Sequence, residues 1–169
     1  IDISTSRDIY GGEGNDVILA RSGVVYAEGG NDDVILQTAG EVLGGDGDDE
    51  IFANTGNYKQ VFHGGDGADR VCANGGADTV YIDLADVTGR TDGWFDGHLY
   101  NIVGGSAEQG TYLPTRGGYD TLAFEEDDMS LDLTQIDNEV IVSFEKIDMS
   151  GAGNNILKLE LGDLLDLSY

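Results

Sequence analysis

Gly11-Gly12-Glu13-Gly14-Asn15-Asp16-Val17-Ile18-Leu19 joins three turn-forming glycines to a sixth-position aspartate and an apolar tail, and the pattern recurs. Gly44-Gly45-Asp46-Gly47-Asp48-Asp49-Glu50-Ile51-Phe52 repeats it, as does Gly64-Gly65-Asp66-Gly67-Ala68-Asp69-Arg70-Val71-Cys72. Glu28-Gly29-Gly30-Asn31-Asp32-Asp33-Val34-Ile35-Leu36 reads as a degenerate copy, with Asp33 sixth and Ile35 eighth. The consensus is G-G-x-G-x-D-x-U-x, with U a large apolar residue. These residue types suit calcium, which takes six to eight oxygen ligands in flexible geometry. Backbone carbonyls supply most of them if the chain turns tightly, and glycine reaches positive φ without steric cost. Asparagine tolerates that conformation better than most residues, the reading given to Asn31. The sixth-position aspartate adds charge, and the eighth-position hydrophobe faces away from its neighbours on a short strand.

One such loop cannot surround an ion, whereas two stacked loops can. Asp16, Asp33, Asp49 and Asp69 lie 17, 16 and 20 residues apart, each interval about two nonapeptides or one coil of a solenoid. The intervening halves keep a strand without the glycines: Val24-Val25-Tyr26, Glu41-Val42-Leu43 and Gln60-Val61-Phe62. Short turns precede them at 21–23 and 37–40, and a longer one at 53–59 accounts for the 20-residue interval. One edge of the coil therefore carries the acidic loops and the other carries plain turns. Ala73-Asn74-Gly75-Gly76-Ala77-Asp78 follows nine residues after Asp69, which puts Asp78 on the plain edge, where a carboxylate bonding turn amides is the simpler role.

The 169 residues suffice for one domain, and 33 acids against 8 bases give a formal charge of −25. Such a charge argues against nucleic acid or anionic membrane as partners and destabilises any compact metal-free state by self-repulsion. Cys72 is the single cysteine, so an intramolecular disulfide is excluded. There is no apolar run long enough for membrane insertion. The chain starts at Ile1 with no visible signal peptide and reads as a fragment.

The pattern breaks between Asp83 and Pro114, a stretch holding Trp94, Phe95, His98 and Tyr100 among Asp83, Asp86, Asp92 and Asp96. It reads as a cap over the core or as a binding surface, and Asp83 or Asp86 is placed to close a site above loop 64–69. Gly117-Gly118-Tyr119-Asp120-Thr121-Leu122 then revives the motif. Leu131-Asp132-Leu133-Thr134, Glu145-Lys146-Ile147-Asp148-Met149-Ser150, Gly151 to Leu159 and Leu164-Leu165-Asp166-Leu167-Ser168 follow. Alternation at Leu131/Leu133 and Leu157/Leu159/Leu161 predicts further strands with one buried face, and 162–167 a short helical end cap.

The nonapeptides resemble the RTX calcium-binding β-roll, and the segments after Gly117 resemble the tails of large bacterial adhesins exported by type I secretion, with Met149 in place of the usual leucine. The resemblance implies an all-β fold, a parallel β-roll or β-solenoid with stacked calcium loops and a C-terminal capping extension. The expected divisions are a nonapeptide roll over 1–82, an aromatic insertion or cap over 83–114, and a degenerate continuation over 115–169. It also implies three or more calcium ions, one between each pair of loops 11–16, 28–33, 44–49 and 64–69. First- and third-position carbonyls of the earlier loop, second- and fourth-position carbonyls of the later loop and both aspartates then ligate each ion. The implied ligand residues are Gly11, Glu13, Asp16, Glu28, Gly29, Gly30, Asn31, Asp33, Gly44, Gly45, Asp46, Gly47, Asp49, Gly65, Gly67 and Asp69. Asp78, Asp83, Asp86 and Asp120 are further candidates.

The resemblance, together with the coupling of metal binding to folding, implies a secreted folding module on the surface of a Gram-negative bacterium, unfolded in the cytosol and folded by calcium outside. Its partners would be calcium, the type I secretion machinery as an unfolded chain, and a surface ligand of the parent adhesin. An accessory domain of an RTX protease or lipase, or sugar or peptide binding through Trp94–Tyr100, are the alternatives. No enzyme is expected in these residues: HExxH and G-x-S-x-G are absent, and His63 and His98 have no nucleophile motif beside them. An ice-binding face would want a threonine ladder, which the third positions Glu13, Gly30, Asp46 and Asp66 do not provide.

Overall fold

The computed structural model describes residues 2–3, 7–54, 56–89, 101–108, 111–113 and 119–163. The repeats fold as β1 (Asp2–Ile3), β2 (Ile9–Glu13), β3 (Val17–Ala20), β4 (Gly23–Gly29), β5 (Asp33–Leu36), β6 (Gly40–Asp46), β7 (Glu50–Ala53), β8 (Gln60–Asp66), β9 (Arg70–Cys72) and β10 (Thr79–Ile82). Helix α1 (Leu84–Thr88) follows, then β11 (Ile102–Val103), β12 (Ser106–Glu108), β13 (Thr111–Leu113), β14 (Thr121–Phe124), β15 (Ser130–Asp132), a 3₁₀ turn at Leu133–Gln135, β16 (Ile141–Val142), β17 (Lys146–Asp148) and β18 (Ile156–Lys158).

Successive strands alternate between two seven-stranded parallel sheets. One runs β1-β3-β5-β7-β9-β11-β16 and the other β2-β4-β6-β8-β10-β14-β17. Parallel neighbours need a crossover, and here the crossover is a strand of the opposite sheet, so the chain winds as a flattened coil. This is a parallel β-roll. The reason lies in period-two burial: along Asp33–Leu36 and Glu50–Ala53 every second side chain turns inward. Ile18, Val34, Ile51, Val71 and Ile102 face Val25, Val42, Phe62, Val80 and Leu122 in one continuous core, all fully buried.

Both sheets run on past the repeats, since β11 and β16 extend one while β14 and β17 extend the other. One expectation for the C-terminal half changes. Leu157 lies partly buried on β18, but Leu159 and Leu161 are 36% and 74% exposed, because pairing of β18 with β15 ends at Lys158. The predicted end cap at 162–167 and the Leu164–Ser168 motif fall mostly outside the described residues. So do Asp92, Trp94, Phe95, Asp96, His98, Tyr100, Gly117 and Gly118.

Candidate metal centre

The glycine loops join β2 to β3, β4 to β5, β6 to β7 and β8 to β9, all along one edge of the roll. Within each loop the second and fourth residues take left-handed backbone: Gly12 and Gly14, Glu28 and Gly30, Gly45 and Gly47, Gly65 and Gly67. Amides of one loop bond carbonyls of the next, Gly14 N–H to Gly29 O at 2.5 Å, Gly30 N–H to Asp46 O at 2.8 Å and Gly47 N–H to Asp66 O at 2.7 Å. The stack is tight enough that a Cβ at Gly45 would strike the Glu28 carbonyl oxygen, and one at Gly67 that of Gly47.

The aspartates form a continuous column. Asp16 N–H donates to Asp32 Oδ1 (2.7 Å), Asp32 N–H to Asp49 Oδ1 (2.8 Å) and Asp49 N–H to Asp69 Oδ1 (2.8 Å). Asp32, Asp49 and Asp69 are buried. At the first position of the loop, Asp49 Oδ2 and the Gly64 carbonyl oxygen converge on the space a Gly44 Cβ would fill, and Asp69 Oδ2 does the same at Gly64. At Gly44 and Gly64 glycine makes room for oxygen atoms, and does not serve only backbone freedom.

This geometry corrects the degenerate copy by one residue. Strand pairing sets Gly12 opposite Glu28 and Val17 opposite Asp33, so the repeat begins at Ala27 and its sixth residue is Asp32. Asp33 is exposed on the outer face of β5, and Val34 rather than Ile35 enters the core. Asn31 keeps negative φ and instead occupies the fifth position, where side chains build a second ladder. Asn31 N–H donates to Asn15 Oδ1 (3.0 Å), Asp48 N–H to Asn31 Oδ1 (3.2 Å) and Ala68 N–H to Asp48 Oδ1 (2.9 Å). Neither Asp32 nor this Asx ladder was read from sequence, although the recurrence of Asn or Asp before the sixth residue was a visible signal.

Glu28 holds φ +80 at an exposed second position where the other loops have glycine. A side chain in left-handed backbone costs about 1–2 kcal/mol. Glu28→Gly is therefore expected to stabilise the calcium-loaded roll by about 1 kcal/mol, raising Tm by about 2–4 °C in a thermal melt.

At the top of the column Asp86 replaces the next loop. Its Oδ1 accepts the Asp69 amide (2.8 Å) and its Oδ2 the Asp83 amide (2.9 Å), while Asp83 Oδ1 accepts from Ala85 (2.6 Å) and Asp86 (3.1 Å). This reciprocal capping box starts α1 and satisfies its first amides. Asp83 and Asp86 thus end the column. Asp78 and Asp120 lie on the opposite edge: Asp78 Oδ1 accepts the Gln60 amide (2.7 Å) and Asp120 Oδ1 the Asp78 amide (2.8 Å).

Buried carboxylates without a counter-cation are costly. Burial, reinforced by the Asp49 charge, pushes Asp69 up to about 7, and burial likewise raises Asp32. Asp32 Oδ2 and Asp69 Oδ2 are buried and accept no hydrogen bond. Among the described residues no three His, Cys, Asp or Glu side chains converge as a metal cluster. A cation at this edge must then take most of its ligands from backbone carbonyls, a donor set that suits a hard ion with high, flexible coordination. The aspartate column and its carbonyls fit calcium.

The RTX calcium-binding nonapeptide repeat matches residues 8–24, 41–58 and 61–81, in four copies. The chain carries RTX repeats. The matched segments hold three of the four stacked loops and pass over residues 25–40, where the displaced Ala27–Asp32 loop lies. No curated protein and no solved structure matches the chain. RTX repeats bind calcium, are typically structural rather than catalytic, and are found in secreted proteins. No helix among the described residues is long and apolar enough to cross a membrane.

The raised carboxylates make a pH prediction for the calcium-free chain. Burial pushes Asp69, Asp78 and Asp120 up to about 7, above their ordinary 3.8, so the folded state binds protons more tightly than the unfolded one. That stabilisation is complete below the unfolded value and is lost as pH rises through about 7. In chelator, β structure by circular dichroism should grow as pH falls from about 8 to about 5. With calcium saturating, the dependence should reverse, because protons compete with the ion for the same carboxylates.

Proposed function

We propose that this chain is the calcium-folded module of a surface adhesin exported by type I secretion, carrying ions between loops 11–16, 27–32, 44–49 and 64–69. Asp16, Asp32, Asp49 and Asp69 supply the charge, with loop carbonyls at Gly11, Glu13, Gly29, Gly44, Gly45, Asp46, Gly47, Gly65 and Gly67 among the remaining donors. The observation that supports this reading best is the column of buried aspartates, whose oxygens meet glycine-cleared space beside carbonyls of the neighbouring coil. A bound calcium supplies the positive charge that lets these carboxylates stay ionised in the stack.

The secretion role follows from linkage. A site assembled from successive coils does not exist in the unfolded chain, so binding free energy is folding free energy. Extracellular calcium modules work at about 10⁻⁴ to 10⁻³ M, and a chain of net charge −25 resists collapse below that range. It would thread a channel unfolded and fold on exit, which discourages backsliding. The adhesin parentage rests on the resemblance of the segments after Gly117.

Far-ultraviolet circular dichroism tests the reading by titrating calcium from chelator into the millimolar range, with magnesium as control. A cooperative coil-to-β transition with calcium alone is expected. Full β structure in chelator at neutral pH, or folding at cytosolic calcium levels, would overturn it.

A further inference from the structure

Asn74-Gly75 is the single Asn-Gly step in the chain, and it lies in the turn between β9 and β10. Asn74 holds left-handed backbone, φ +59, and both residues are half-buried. Its side chain reaches back a whole coil: Asn74 Nδ2 donates to the carbonyl oxygen of Ala53, 21 residues earlier, at the buried end of β7. The same turn is seated at further points. Gly76, φ +152, lies so close to the coil below that a Cβ would strike the Tyr58 carbonyl oxygen. Asp78 Oδ1 accepts the Gln60 amide (2.7 Å), and Ala73 N–H donates to the Val103 carbonyl of the next strand (2.9 Å).

An asparagine followed by glycine is open to attack by its own backbone, because glycine has no Cβ to crowd its amide nitrogen. The Gly75 nitrogen gives its proton to base and adds to Asn74 Cγ. The new C–N bond closes a succinimide ring, and the side-chain nitrogen leaves as ammonia. Water then opens the ring at either carbonyl to give aspartate or isoaspartate, so the net change is amide plus water to acid plus ammonia. In the folded chain the carboxamide is engaged on Ala53. Attack requires that bond and the seating of the turn to be released, so the rate follows the fraction of chains in which this turn is open.

We propose that Asn74-Gly75 is a deamidation site guarded by the fold, consumed in chains that stay unfolded and protected in chains that calcium has folded. Conversion is not silent. It replaces the Nδ2 donor by an acidic oxygen facing the Ala53 carbonyl. The isoaspartate product also lengthens the backbone inside a turn that has no spare room at Gly76. A chain left too long without calcium thereby loses the contact that docks turn 73–78 on the coil below.

The link to calcium rests on the reading above, and the test separates the two. The full chain is aged in mildly alkaline buffer with saturating calcium, with chelator, and with chelator plus urea. Circular dichroism follows the fold in each sample, and peptide mass spectrometry reads the conversion of Asn74. Conversion is expected in urea and in chelator, and about tenfold slower or more in calcium, which binds only the folded state. No conversion in urea, or equal rates in urea and in calcium with β structure intact, would overturn the site. A chain folded and protected in chelator but converted in urea would overturn the calcium reading and leave the guarded site standing. Asn74→Asp stands in for the aspartate product and tolerates the same backbone. It is expected to raise the calcium midpoint of folding about fivefold, the worth of one lost hydrogen bond. An unchanged midpoint would overturn the claim that conversion weakens the fold.

Discussion

Asp49→Ala is expected to raise the calcium concentration at the folding midpoint about tenfold. Asp49 sits in the middle of the column, fully buried, so its carboxylate serves the loops on both sides. Under the proposed coordination, removing it takes a charged ligand from two ions at once. It also strands the Asp32 amide, which donates to Asp49 Oδ1, and a buried amide without an acceptor costs about 1–3 kcal/mol. A tenfold change in an equilibrium constant is about 1.4 kcal/mol, so the stranded amide supplies part of the shift and the lost ligand charge the rest. Asp49→Asn separates the two effects, since its Oδ1 still accepts the amide while the charge is gone. The asparagine variant should fall between wild type and alanine in a calcium titration followed by circular dichroism. If alanine titrates like wild type, the aspartate column does not carry the metal.

Gly45→Ala is expected to prevent folding of the central coils, or to cost about 4 kcal/mol if the roll survives, the sum of left-handed strain and overpacking. Gly45 holds φ +113 and its added Cβ would meet the Glu28 carbonyl oxygen, which rigid backbone on both sides holds in place. Gly12 is the equivalent residue of the first loop, with φ +100 but nothing within 4 Å of the added Cβ. Gly12→Ala should therefore cost only the conformational term, about 1–2 kcal/mol. Chemical denaturation of both variants in saturating calcium measures the difference, which is the energy of loop-on-loop stacking. Equal losses would mean that backbone conformation alone, not the stack, selects glycine at the second position.

Much of this was legible in the chain because the signal is periodic. Glycine at fixed offsets, aspartate in the sixth place and an apolar eighth residue report a backbone path, a charge and a burial direction at once, so Asp16, Asp49 and Asp69 were found directly. The intervals near 17 residues gave the coil length, and the connection between β7, which ends at Ala53, and β8, which starts at Gln60, falls where the 20-residue interval required a longer one. Asp78 fell on the opposite edge, bonding a turn amide, for the same reason of counting. The degenerate copy was misread because Asp32 and Asp33 are adjacent and both frames contain glycines. Only the pairing of β4 and β5 with their neighbours resolves it. A one-residue slip sends every side chain to the other face of a strand, so the neighbours would not tolerate Ile35 inside and Val34 outside.

The repeating coil, the acidic edge and the calcium chemistry are written in local residue types at regular spacing. Tertiary structure decided which aspartate of an adjacent pair joins the column, that Asp83 and Asp86 close it as a helix cap, and that Gln60 stands beside Asp78. Those choices depend on contacts between residues 16 to 20 positions apart, where stacking of one coil on the next selects the register. Local propensity carries no information about what the neighbouring coil will present.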